Sequence, residues 1–288
     1  MNDSVDAWHD RAMRAALNKR SQDMRKIMVQ TMHCAGRGHL ASALSLVEIL
    51  CVLYDKVLRY DSKNPDWPER DRCILSKGHG CLALYAVLAD KGFFPKDELN
   101  KFCSAEGILG GHPERGKIPG VEATTGSLGH GPSIGVGLAL SARMQGRSSR
   151  VFVIIGDGEA QEGSVWEAAL CASKHCLDNF IIIIDYNKLQ SYGPVSEVSP
   201  LEPLSAKWQA FGFEVRDVNG HDPDSLLEVM NELPFCPGKP SVIICHTVKG
   251  KGFAGTENNL AWHHKSKVTA ECVQELMNSL DKQCAKPV

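Results

Sequence analysis

Much of what would mark other classes of protein is missing from this chain. It contains no CxxC and no HxxxH pair, the short spacings at which zinc sites gather their ligands, which argues against a zinc cluster. No apolar run approaches the ~20 residues a membrane-spanning helix needs. The opening MNDSVDAWHD has no secretory-signal core and the eleven cysteines are an odd number, so we expect free thiols and a cytoplasmic protein. A formal charge of −2, with 32 basic and 34 acidic residues interspersed, offers neither a basic stripe for nucleic acid nor a polybasic membrane patch. Small molecules and other proteins remain as partners.

Two nucleotide motifs are absent as well. A dinucleotide fingerprint needs G-x-G-x-x-G, but Gly156 and Gly158 are followed by Gly163, two residues late. A P-loop needs Gly-Lys-Ser/Thr, and Gly163 leads to Ser164 with no lysine.

What is present is a pair of strand ends. The run VFVII enters GDGEAQEG at Gly156, and FIIII reaches DYNKLQ at Asn187. Each run reads as a buried parallel strand that delivers an oxygen-bearing side chain, Asp157 or Asn187, just past its carboxyl end, where open α/β sheets bind ligands. Two hard oxygen ligands one strand–helix unit apart suit a divalent cation that also holds a phosphate.

The rest of the chain alternates helix and strand. Helical spacing covers Val5–His33, Ser42–Leu58, Gly80–Lys91, Pro95–Cys103, Pro132–Gln145, Ser164–His175, Pro203–Phe211 and Pro223–Leu233, with a last helix after Val268. Strands are expected at Cys73–Leu75, Val151–Ile155, Phe180–Asp185, Glu214–Asp217 and Val242–His246. Such alternation predicts an α/β fold, a parallel sheet with helices on both faces. No repeat or composition break divides it, so residues 1–288 are expected to form a single domain.

Histidines recur beside glycine, in GRGHLA at His39, SKGHG at His79, GGHPE at His112 and LGHG at His130, and a fifth stands in AWHHK at His263. Glycine lets backbone approach a ligand, and an imidazole can donate to phosphate or hydroxyl oxygen. Scattered histidines of this kind point to polar substrate contacts.

Taken in order, GRGHLASALSLVEIL, DRCILSKGHGCLALY, GILGGHPE, TTGSLGHGPSIGVGLAL, GDGEAQEGSVWEAALCA, IDYNKLQ and AWHHK resemble the N-terminal, diphosphate-binding part of transketolase, from about Ala12 to about Lys267. The resemblance implies a thiamine diphosphate-binding fold. It implies that Asp157, Asn187 and the Leu189 carbonyl hold Mg²⁺ or Ca²⁺ against the cofactor's phosphates. Gly156 and Gly158 belong to that motif. His39 and His263 match histidines near the phosphates and the sugar's reacting carbons, His79 a diphosphate contact, and His112 a group at the carbonyl end of the donor. Gly126, Ser127 and Leu128 match the turn beside the aminopyrimidine. Glu162 and Glu167 match acidic residues at a subunit contact, and Glu162 is carried as a cofactor-side residue.

The chain departs from the family's pattern at His39-Leu40-Ala41, where His-Pro-Gly is usual, at His130, where Gln is usual, and at His264, where glycine is usual. The resemblance also implies a pyrimidine-binding domain and a C-terminal domain that these residues do not supply. The expectation is therefore the N-terminal subunit of a two-chain transketolase, working on sugars or sugar phosphates in an α₂β₂ complex. Other expectations left open are a deoxyxylulose phosphate synthase-like or 2-oxoacid dehydrogenase E1 α-like protein, and a binding subunit without catalysis.

Overall fold

The computed structural model describes the backbone of residues 2–284, and the side chains of residue 16 and residues 18–280. Helix α1 (Asn2–Ala35) presents Met24, Met28 and Met32, four residues apart and buried, to the core. Short helices α2 (Leu40–Leu44) and α3 (Val47–Val52) follow, and a π-turn at Leu53–Val57 closes this region.

The sequence reads residues 42–58 as one helix, but the structure breaks it. The Ser42 carbonyl accepts from Lys77 Nζ at 3.2 Å, so the Leu46 amide reaches back only to Ala43 O at 3.0 Å. An ammonium inserted into the ladder divides the helix.

Strand β1 (Arg72–Leu75) leads to α4 (Cys81–Asp90), which is buried nearly all round and lies within the core layer. The helix expected at 95–103 is a 3₁₀ segment at Lys96–Lys101. Next come α5 (His130–Met144), β2 (Val151–Gly156), α6 (Gly163–Lys174) and β3 (Phe180–Tyr186). The chain continues through α7 (Val195–Val198), α8 (Leu204–Ala210), β4 (Glu214–Asn219), α9 (Pro223–Asn231) and β5 (Ser241–His246), and α10 (Ala270–Cys284) is the last element among the described residues.

The five strands form one sheet in the order β1-β2-β3-β5-β4, and every pairing is parallel. Side chains alternate between two cores. Phe152, Ile154, Ile181, Ile183 and Ile243 face the α1–α4 and α9 side, while Val151, Val153, Ile182, Ile184 and Val242 face α5, α6 and α8. Crossovers from β1 through β4 advance along the sheet, and only β4 to β5 turns back. Right-handed crossover then sends α9 to the face opposite α5, α6 and α8. All five carboxyl ends consequently open on the same rim, where Lys77, Asp157, Asn187 and Lys249 follow four of the strands.

Candidate functional site

Asp157 and Asn187 do meet across the strand ends. Asp157 Oδ1 accepts from Gly158 N at 2.7 Å, and Oδ2 accepts from Lys188 N, the residue after Asn187. Asn187 Oδ1 accepts from Leu189 N at 3.1 Å, so its amide oxygen is fixed in the same turn. Burial, with the Asp185 charge nearby, pushes the Asp157 carboxyl up to about 6. That carboxylate lies where a bound cation would relieve it.

Beneath this pair lies a buried ionic floor. Asp185 is fully buried and accepts from Lys77 Nζ, from Thr247 Oγ1, from Ser45 Oγ at 2.6 Å and from Asn187 Nδ2 at 3.4 Å. Burial opposes its charge, yet Lys77 and the two hydroxyls hold its carboxyl below the usual range. Lys249, 2% exposed, donates to the Leu189 carbonyl at 2.7 Å; burial and the neighbouring Lys77 lower its ammonium to about 8. The Leu189 carbonyl, expected from the resemblance to face a metal, already faces a cation. A second buried carboxylate, Glu159, ties three elements together: it accepts from Ser76 Oγ after β1, from Gly129 N at 2.9 Å before α5 and from Gly156 N at 3.3 Å at the end of β2.

The histidines converge over this floor. The His39 ring lies 5.6 Å from His79, 5.6 Å from His263, 6.3 Å from His112 and 4.7 Å from His264, centroid to centroid. Two backbone hydrogen bonds explain how the ends of the sequence come together: Gly38 N donates to Lys265 O at 2.9 Å and Lys265 N to Gly38 O at 3.0 Å. Gly38 has φ +153 in this bridge, a conformation that a side chain would strain. Gly126, at φ +151, is a second such position in the site. A Cβ there would stand 3.1 Å from the His112 ring, so the TTGSL turn closes directly on the GGHPE loop. Burial, followed by the nearby His264, His112 and Lys249 charges, lowers His39 to about 4; burial and the Lys249 charge lower His263 to about 4. His79 too is lowered well below the usual range, by burial and by Lys77.

A cleft of about 420 Å³ joins these groups. His39, His79, Gly126, Leu128, Gly156, Asp157, Gly158, Glu162, Asn187, Leu189 and His263 all line it, so most of the residues expected from the sequence share one wall or another. Ser127 does not line it and is exposed. His112 lies one ring away, on a neighbouring cavity that His39 shares. His130 is exposed at the start of α5 and stands outside the ring cluster. Glu167 is exposed on α6.

Three buried polar atoms of cleft residues, Ser42 Oγ, Gln190 Nε2 and His263 Nδ1, have no hydrogen-bond partner. Such atoms are costly unless a ligand or water satisfies them, so the cleft is built for a polar guest. Among the described residues no group of three or more His, Cys, Asp or Glu could hold a metal. A set of one carboxylate, one amide oxygen and one carbonyl is instead a hard-cation set, with the remaining positions left to phosphate oxygen or water.

Lys77, Glu159, Asp185 and Lys249 were not singled out from the sequence. Lys77 stands in the SKGHG segment noted for its histidine, and Asp185 in the DYN that closes β3, so those two had signals to follow.

A family model described as the transketolase, thiamine diphosphate binding domain, matches residues 17–287. The chain is 41% identical over 269 residues to the 6-deoxy-6-sulfo-D-fructose transketolase subunit of Clostridium sp. (strain MSTE9), covering 93% of this chain and 98% of that one. It is 45% identical over 241 residues to an apulose-4-phosphate transketolase subunit of Actinobacillus succinogenes, covering 84% and 87%. Transketolase from Campylobacter jejuni matches its fold with a TM-score of 0.85 at 30% identity, over 92% of this chain and 42% of that one. The chain spans less than half the length of the solved transketolases it matches.

Proposed function

The chain belongs to the transketolase family, as its thiamine diphosphate-binding domain, and from that premise we propose that it is one subunit of a two-chain transketolase. The complex moves a two-carbon ketol unit from a ketose to an aldose. Its partner is a separate chain carrying the pyrimidine domain, and two copies of each assemble as α₂β₂, closed symmetry being the usual solution for such pairs. Two facts support the division of labour. Three relatives matched over 87–98% of their length are named as subunits, whereas the solved transketolases extend to more than twice this length.

The observation that carries the chemistry is the convergence of neutral histidines over a hard-cation set in one cleft. Asp157, Asn187 and the Leu189 carbonyl would hold Mg²⁺ or Ca²⁺, and Lys249, Gly158 and His79 line the space in which the diphosphate oxygens would lie. When bound, thiamine diphosphate supplies the nucleophilic carbon and electron sink that breaking and remaking a ketose carbon–carbon bond requires. His39 and His263 are uncharged at neutral pH, so each ring offers one donor and one acceptor. They, with His112, would hold sugar oxygens and pass protons to and from them as charge develops. Glu162 and Glu167, both exposed, would face the neighbouring subunit.

The test is reconstitution. Purified chain alone, with thiamine diphosphate and Mg²⁺, should show no ketol transfer; mixed with a C-terminal transketolase chain it should form a complex of α₂β₂ mass and transfer ketol units. Full activity from this chain alone would refute the two-chain reading.

A further inference from the structure

The opposite rim of the sheet holds a cluster of guanidinium groups that the cleft chemistry does not use. Arg72 and Val151 open β1 and β2, and β2 is six residues long, so this rim lies roughly 20 Å from the carboxyl ends that carry the cleft. Four arginines here share three carboxylates. Asp71 takes Arg59 at 3.0 Å and Arg150 at 2.7 Å, Glu122 takes Arg70, and Glu69 takes Arg147 Nε at 3.3 Å. Arg72 stands among them, and its Nη2 donates to the Pro68 carbonyl at 3.3 Å, while Nη1 is buried and has no hydrogen-bond partner among the described residues. A guanidinium cannot shed its proton in a protein. Burial opposes the Arg72 charge and Glu122 supports it, but Arg70, Arg147 and Arg115 add to the opposition and hold its value below the ordinary one.

A cavity of about 50 Å³ lies at this point, and Pro68, Arg72, Ser141, Arg147 and Ser149 are among its walls. The bond to Pro68 fixes the head of Arg72 at that wall. Ser149 is 3% exposed, and its Oγ lies 3.5 Å from the same carbonyl, too far to commit its proton firmly. Ser141 Oγ accepts from Gln145 Nε2 at 2.8 Å, so its own O–H remains to donate. Among the described residues no carboxylate lines the cavity. The last carbonyls of α5, which would repel an anion, are engaged: those of Ser141, Ala142 and Arg143 accept from the amides of Gln145, Arg147 and Gly146. We propose that this cavity binds a free tetrahedral oxyanion, phosphate or sulfate, between Arg72 and Arg147. A water would satisfy Nη1 and leave the charge of Arg72 unmatched, whereas an oxyanion answers both and fits the guanidinium fork. A single water needs about 10–15 Å³ of cavity, so the space takes a small ion and leaves no room for the carbon chain of a phosphate ester. The bound ion would tie the loop at Pro68 and the end of α5 to the first residues of β1 and β2.

The test uses the full chain. Phosphate and sulfate are titrated in at constant ionic strength, with chloride making up the balance, while the guanidinium Nε–H resonances are followed by NMR; Arg72→Met and Arg147→Met assign the two signals. Both should shift saturably at millimolar phosphate or sulfate. In Arg72→Met the Arg147 signal should respond with an affinity at least roughly tenfold weaker, the scale of one lost charge-assisted bond. Arg72→Lys should fall between, since lysine keeps the charge and loses the fork. If Arg72→Met folds poorly, Arg147→Met, which breaks only a partly exposed ion pair, should weaken the Arg72 response on the same scale. Signals indifferent to both oxyanions, or moving equally with chloride, mean that water serves Nη1 and overturn the proposal. Glycerol phosphate separates the free ion from an ester, and binding as tight as that of phosphate would overturn the free-ion assignment. A response that vanishes when a C-terminal transketolase chain is added would place a partner's side chain in the cavity and overturn it as well.

Discussion

Replacing Asp185 by asparagine removes the buried negative charge that Lys77 contacts in the interior. Lys77 is 2% exposed and Asp185 fully buried, so water cannot take the lost partner's place. Breaking a buried pair from one side typically costs about 3–5 kcal/mol, because the remaining charge stays desolvated. A chain of this length has an unfolding entropy of roughly 0.6 kcal/mol per degree, so the melting midpoint should fall by roughly 5–8 °C. Asparagine's single Oδ1 can still accept from one of the Ser45 and Thr247 hydroxyls, and the other hydroxyl can turn to accept from its Nδ2, which leaves the loss centred on the lysine. Lys77→Met should cost a similar amount by stranding the carboxylate. The decisive variant is the double one, with both charges gone. Measured by urea and thermal denaturation, it should be more stable than the sum of the single losses by at least about 2 kcal/mol. Additive losses would show that the ion pair is not the organising contact and would refute the reasoning.

Three further outcomes are expected. Glu48 is buried, which opposes its charge, but Arg25 at 2.7 Å and His221 at 3.0 Å bring its carboxyl from 4.5 down to about 2. Because the folded value is depressed, its stabilisation of up to about 3 kcal/mol is present above pH 4.5 and lost as pH falls toward 2; urea titrations should show this slope, and Glu48→Gln should flatten it. Asp157→Ala should abolish Mg²⁺-dependent retention of thiamine diphosphate by the assembled complex while circular dichroism stays unchanged, and undiminished affinity in calorimetry would sink the metal assignment. His112→Ala should reduce turnover a hundredfold or more, the scale of a lost proton-transfer group, with much less effect on cofactor affinity; unchanged turnover with a ketose donor would remove it from the chemistry.

The parallel sheet was legible because its central strands are short apolar runs between helical patterns, while β4 alternates apolar and polar residues, and all five expected strands are present within a residue or two. Asp157 and Asn187 could be read because each follows such a run directly. His39, His79, His112 and His263 could be read because of the glycine-rich or paired-histidine settings in which they stand, but the same reasoning also picked His130, whose glycines serve the start of a helix. What stayed hidden was burial of charge. Lys77 and Lys249 are two among 32 basic residues, and nothing local tells an interior ammonium from a surface one. The break in the helix at Ser42–Leu46 was hidden for the same reason, since it depends on a lysine more than thirty residues away.

The two hydrogen bonds between Gly38 and Lys265 also set a timetable. His39 is made early in synthesis, while the segment bearing His263 and His264 emerges only after the last strand. Until that segment folds back and zips onto the first loop, one wall of the cleft does not exist. Ligand binding would therefore certify a finished fold, so that a chain with either end unravelled should bind its ligand poorly.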